Sequence, residues 1–206
     1  MQSITAMLIY LPAIIIALTF HEYAHGKVAD LLGDNTPSSQ GRLTLNPLPH
    51  IDWIGFFMLL FFKFGWAKPV QVNPLNFKNT NFKTGMMLVS LAGPGMNLLL
   101  AFIGMLLLKF LIPYSYVEWG NIAINLVQPL IQINLILAAF NLIPIPPLDG
   151  SKILAGLLPD SGAQVIYSLE QYGPILLLLI IVTGFAGKVF IPLANFMAGI
   201  LYSIVF

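Results

Sequence analysis

His21-Glu22-Tyr23-Ala24-His25 closes an apolar run that begins near Ile4. On a helix, residues four apart lie one turn apart on the same side, so both imidazoles point the same way. Two such nitrogens can hold one tetrahedral Zn²⁺, and Glu22 on the same helix can take a proton from an activated water. In a soluble setting this spacing marks a metalloprotease. Inside an apolar segment it points to peptide hydrolysis within a membrane. The motif is short enough to arise by chance, yet it holds two of the chain's three histidines. Ionisable groups are costly at bilayer depth and are rarely placed there without a task.

A catalytic zinc needs a third protein ligand and one open position. The chain has no cysteine, so thiolate ligands, disulfides and a cysteine nucleophile are excluded and the ligand must be His, Asp or Glu. Two candidates stand out. His50 sits with Asp52 in a polar loop after Asn46-Pro47-Leu48-Pro49. Asp149 follows Asn141-Leu142-Ile143-Pro144-Ile145-Pro146-Pro147-Leu148, whose prolines break a helix and present a carboxylate at its end. Asp149 also suits an N-cap for a short helix from Ser151, a role compatible with ligation. Asp149 ranks first.

The elements that must carry these groups follow from the apolar runs. The chain is 58% hydrophobic and 8% charged, far below the roughly 25% charged residues of a soluble domain. It reads as an all-α polytopic membrane protein of about five to six transmembrane helices in a single domain over residues 1–206. The first run, Ile4 to Val28, lacks a basic start and a cleavage site and carries the motif, so it reads as a retained span rather than a signal peptide. Ile54 to Phe62 is too short to cross and reads as re-entrant or interfacial. Gly65 to Pro74 alternates Val70 and Val72 with polar neighbours and reads as a short membrane-associated β-hairpin. Gly85 to Ile112 is a long span interrupted by Gly93-Pro94-Gly95, and Asn121 to Ile143 is another. Tyr172 to Phe185 and Val189 to Phe206 are the last two runs.

Charge placement gives an orientation. Lys27, Arg42, Lys63, Lys68, Lys78 and Lys83, six of the nine basic residues, fall between the first two full spans. The positive-inside rule puts this region in the cytoplasm. The N-terminus and the Pro113 to Gly120 loop then lie outside, and Asp149 returns to the inner face. From Ile4 to His21 is about 25 Å of helix in a core of roughly 30 Å, so the histidines reach a similar depth. The expectation is a multi-pass protein of the cell membrane with its site toward the cytoplasm. A net charge of +1 argues against nucleic acid as a partner.

Four blocks now stand in order: HEYAH at 21–25, GWAKPVQVNP at 65–74, AGPGMN at 92–97 and NLIPIPPLDG at 141–150. Together they resemble the site-2 protease family of intramembrane zinc metalloproteases. The resemblance implies that His21, His25 and Asp149 are ligands of one Zn²⁺ per chain and that Glu22 is the general base. It implies that Asn97 helps hold the reacting peptide, and that Asn141 opens the motif ending in the aspartate. It also implies that the 65–74 block, with Val70 and Val72, pairs with an extended substrate strand. The substrate implied is a single-pass transmembrane protein embedded, like the enzyme, in the lipid bilayer. The chain looks like a small member, without the PDZ or nucleotide-sensing domains of many relatives. His50-Ile51-Asp52-Trp53 resembles a His-Ile-Asp-Pro block of small relatives, with Trp53 replacing the proline.

The chemistry stands without the family. Zinc lowers the pKa of water to about 7 and Glu22 accepts the proton. An amide from Asn97 could stabilise the oxyanion, although buried amides also serve as links between membrane helices. A substrate helix must unwind before its carbonyl is reached, and an edge strand near 65–74 would stabilise the extended form. A divalent-cation transporter is the rival from another class, since it too uses intramembrane His, Glu and Asp. A line of polar residues across the spans would mark it, and the outer halves are poor in them. An inactive relative that only binds membrane helices is a third reading, against which the intact His21, Glu22, His25 and Asp149 argue.

Overall fold

The computed structural model describes residues 4–62, 65–78 and 80–206; Lys63 lies outside them. Helix α1 (Ile4–Leu31) is an apolar cylinder that turns polar only over its last three turns. It ends where Gly33 takes φ +104°, a conformation that glycine adopts without the Cβ penalty. A short α2 (Thr36–Ser39) follows. Helix α3 (Trp53–Phe62) has ten residues, about 15 Å and too short to cross a bilayer. Its Trp53, Ile54, Phe57 and Phe61 are all exposed.

Helix α4 (Phe82–Leu111) starts at an Asn81 N-cap, whose side chain accepts from Thr84 N–H at 2.8 Å. It then runs unbroken through Gly93-Pro94-Gly95, where the sequence suggests an interruption. A proline inside a membrane helix removes one N–H donor, and neighbouring helices can absorb the distortion. Helices α5 (Glu118–Asn141), α6 (Asp149–Leu157), α7 (Asp160–Leu169), α8 (Gly173–Val182) and α9 (Phe185–Val205) complete the chain. Among the described residues, Phe82–Tyr114, Glu118–Asn141, Asp160–Ile180 and Gly187–Val205 are long and apolar enough to cross a membrane. At 28 residues, α1 also exceeds the roughly 20 that a span needs.

The central packing is α1, α4 and α5 against one another, with α6 on α4 and α9 on α5. Ala101 and Met105 meet Ile131, Leu135 and Ala139, and Ala194 and Val205 complete the cluster. Small residues let the backbones approach: a Cβ on Gly104 would press into Ile131. Two fully buried amides tie the three helices. Asn97 on α4 donates to Ala17 O on α1 (3.1 Å) and to Asn134 Oδ1 on α5 (2.8 Å), and Asn134 donates back to Leu130 O (2.8 Å).

The 65–74 block differs from its sequence reading. Among the described residues it holds no hairpin. It is an extended chain with one antiparallel bridge, Ile51 to Ala67, and a 3₁₀ turn at Pro74–Asn76. Pro69 and Pro74 have no N–H to give a ladder. Lys68 N–H makes the bridge's bond to His50 O at 2.9 Å, while the N–H groups of Val70 and Asn73 go to the Glu22 and Asp34 carboxylates at 2.8 and 2.7 Å.

Candidate metal centre

Helix periodicity on α1 stacks His21 and His25 on one side. Asp149 is the first residue of α6 and is delivered by the proline-rich turn after α5. That turn is tight, since a Cβ on Gly150 would collide with the carbonyls of Leu142 and Ile143. The three side chains converge: His21 Nε2 and His25 Nε2 lie 3.0 Å apart, and each lies 3.3 Å from Asp149 Oδ2. These edges approach the roughly 3.3 Å edge of a tetrahedron with bonds of about 2.05 Å to zinc.

The neighbours fix which nitrogens face inward. His21 Nδ1 lies 2.7 Å from Asn97 Oδ1, and His25 Nδ1 lies 2.7 Å from the Val89 carbonyl. Both partners are acceptors, so each Nδ1 carries the proton and each Nε2 presents a lone pair. Asp149 Oδ2 is buried and has no hydrogen-bond partner among the described residues. Two lone pairs and a carboxylate oxygen thus point at one another, an arrangement that repels unless a cation sits between them. His21, His25 and Asp149 form a group able to hold a metal ion. Gly93 makes room: a Cβ there would strike both imidazoles. The site fits zinc by donor type, spacing and tautomer.

Glu22 is buried beside the two histidines, and its Oε2 accepts from Val70 N–H. A cavity of about 430 Å³ brings together His21, Glu22, His25, Asp149, Asn141, Val70 and Val72, with Lys152 on its wall. A second, mostly apolar cavity of about 510 Å³ adjoins it and shares Leu18, Trp66, Leu137 and Phe140. Asn97 is not on the cavity. It is fully buried, and both amide hydrogens are committed to Ala17 and Asn134. Its geometry is that of a residue orienting His21, not of an amide offered to an oxyanion.

His50 lies away from the triad. Its Nε2–H donates to Thr44 O at 2.9 Å, which leaves Nδ1 to accept from Arg42 Nη2 at 3.3 Å, so no lone pair remains for a metal. Asp34 anchors the far end of the extended segment, accepting from Asn73 N–H, Asn76 Nδ2 and both donors of Thr36. Burial alone would raise its carboxyl, but these hydrogen bonds outweigh it and hold the group below the ordinary carboxylate range. Arg42, Val89, Asn134 and Gly93 are the site-shaping residues that the sequence reading missed. Only Gly93 had a signal, in the AGPGMN block.

The comparisons with known proteins bear on the family. The profile of Peptidase family M50 matches residues 114–182, a stretch that contains Asp149. The chain is 42% identical over 185 residues to "Putative zinc metalloprotease YwhC" of Bacillus subtilis, covering 88% of this chain and 84% of that one. It is 34% identical over 152 residues to "Putative zinc metalloprotease MJ0611" of Methanocaldococcus jannaschii, covering 74% and 72%. It is 29% identical over 185 residues to "Putative zinc metalloprotease Rip2" of Mycolicibacterium smegmatis, covering 87% and 68%. No solved structure matches the chain at a significant level. With a relative this similar aligned over most of both chains, the likeness carried by the four sequence blocks is one of descent, and the chain belongs to Peptidase family M50, the site-2 proteases.

Proposed function

We propose that this chain hydrolyses a peptide bond in or near a transmembrane segment of a single-pass protein, with His21, His25 and Asp149 holding one Zn²⁺ and Glu22 as general base. The observation that carries the reading is the convergence of two imidazole lone pairs and an unpartnered carboxylate oxygen on the cavity that also holds Glu22. When bound, zinc supplies Lewis acidity toward a carbonyl and lowers the pKa of water.

The chain's own residues supply the rest. The bond from Val70 N–H holds one Glu22 oxygen and so aims the other. Ionised Glu22 takes a proton from the attacking water and, once protonated, returns it to the leaving amine. Asn97 and the Val89 carbonyl keep each Nε2 free to bind the metal. Val72 lies on the cavity wall, and its N–H and C=O make no hydrogen bond among the described residues. They are among the backbone groups of this segment left to pair with an unwound substrate, on the cavity that Asn141 also lines. The six basic residues from Lys27 to Lys83, at the facing ends of α1 and α4 and in the chain that joins them, favour cleavage near the cytoplasmic face.

The test uses purified protein in detergent with zinc and single-pass transmembrane peptides. The reading expects cleavage that 1,10-phenanthroline abolishes. Metal-dependent flux in proteoliposomes, with several such peptides left intact, would instead support a transporter and end the protease reading.

A further inference from the structure

Glu22 borrows its orientation from outside its own helix. Its Oε2 is fixed by Val70 N–H, and Val70 lies in a stretch whose only regular pairing among the described residues is the single bridge at Ala67. Something else must hold that stretch still. Arg42 donates from Nη2 to Lys68 O at 2.6 Å and from Nη1 to Pro69 O at 3.2 Å. These are the two carbonyls that immediately precede Val70 N–H. Arg42 is itself 4% exposed and rests against His50, which is 2% exposed. The His50 carbonyl accepts from Lys68 N–H at 2.9 Å.

Burying a guanidinium is costly, and Arg42 Nε has no partner among the described residues. The bonds that Arg42 does make go to the segment beside Glu22 and to its own anchor.

We propose that Arg42, anchored by His50, is a positioning residue that pins the Lys68–Val70 peptide units so that Val70 N–H meets Glu22. A planar fork of donors can hold two neighbouring carbonyls at once, whereas a lysine ammonium on a flexible stem holds them less rigidly. The kinetic part rests on the protease reading; the structural part does not.

The experiment therefore has two arms. Amide hydrogen exchange is followed over 67–72 and over the α4–α5 core in wild type, Arg42→Gln and Arg42→Lys, all zinc-loaded. Exchange at Lys68 and Val70, the amides of 67–70 that donate hydrogen bonds, should rise about tenfold or more in Arg42→Gln and less in Arg42→Lys, with the core unchanged. In the cleavage assay, kcat should fall about 10- to 100-fold in Arg42→Gln at full zinc content and with little change in KM. Added guanidinium should restore part of the activity lost in Arg42→Ala. Wild-type exchange at 67–70 in both Gln and Lys variants overturns the proposal, whatever the activity. Faster exchange spread over the core, or loss of zinc, overturns it too, because Arg42 would then be a general support. If Arg42→Gln does not fold, Arg42→Lys carries the same readouts. A wild-type chain that cleaves nothing sinks the protease reading and leaves the exchange arm to decide the positioning role.

Discussion

Two regions face the same cavity and are held there in opposite ways. The metal triad is set by helices: one turn of α1 spaces His21 and His25, and the first residue of α6 supplies Asp149. The 67–76 segment has almost no secondary structure of its own. It is held by Glu22, Arg42 and Asp34 reaching into its backbone. The first arrangement survives loss of a distant side chain because a helix repeats its own support. The second depends on each contact in turn. Damage to the triad should remove metal, whereas damage to the segment should remove turnover and leave metal in place.

The largest effect belongs to the triad. His25→Ala and Asp149→Ala should each lose most bound zinc, read by metal analysis of the purified protein, and lose cleavage with it. Full occupancy in Asp149→Ala would mean that the third ligand is another residue. One shell out, Asn97→Leu removes the acceptor that fixes the His21 tautomer and strands Asn134 Oδ1. Zinc affinity should fall about 10- to 100-fold. If affinity stays normal while kcat alone falls, Asn97 acts on substrate after all.

The histidine pair was legible in the sequence through the helical period, and the long membrane helices through their apolar runs. His21 and His25 are one helical turn apart, and Asp149 follows Pro144, Pro146 and Pro147, a cluster that stands in the turn after α5. The supports were not legible. The Val89 carbonyl belongs to an ordinary helical valine, and nothing in the spacing of Arg42 and Lys68 announces that one grips the other. Val70 and Val72 alternate like a strand, yet Pro69 and Pro74 withhold donors and Glu22 and Asp34 capture others, so among the described residues the ladder does not extend past the one bridge at Ala67. Gly93-Pro94-Gly95 reads as a break, yet α4 continues, with Gly93 there to admit the imidazoles of α1. Helix α7, with its polar Ser161, Gln164 and Ser168, had no apolar run to announce it.

On the segment side, Val72→Pro removes an N–H that no group of the described chain uses and fixes φ. Cleavage of helical membrane substrates should fall about tenfold or more, with zinc content unchanged. Val70→Pro is the less clean variant, because it also takes away the donor that Glu22 holds. Wild-type cleavage by Val72→Pro would leave the segment as a brace for Glu22 without a role in binding substrate.

The smallest effect is at Asp34. Its folded carboxyl is held below the ordinary value of 3.8. Its contribution to stability is therefore complete above that value and is lost as pH falls through the depressed folded value. Asp34→Asn should cost about 1–3 kcal/mol at neutral pH. Thermal unfolding at a fixed scan rate should show the gap from wild type shrinking below about pH 4. A gap that stays constant from pH 7 to pH 3 would mean that the Asp34 charge is not what holds Asn73 and Asn76.

The central claim is that Glu22 moves the proton at a metal site that it does not itself hold. The most direct measurement is zinc content and turnover of Glu22→Gln on the same preparation, with a single-pass transmembrane peptide as substrate. The amide keeps the shape and can still accept from Val70 N–H. Zinc should therefore remain near one per chain while kcat falls about 10²-fold or more. Turnover within a few-fold of wild type at full zinc occupancy would contradict the account.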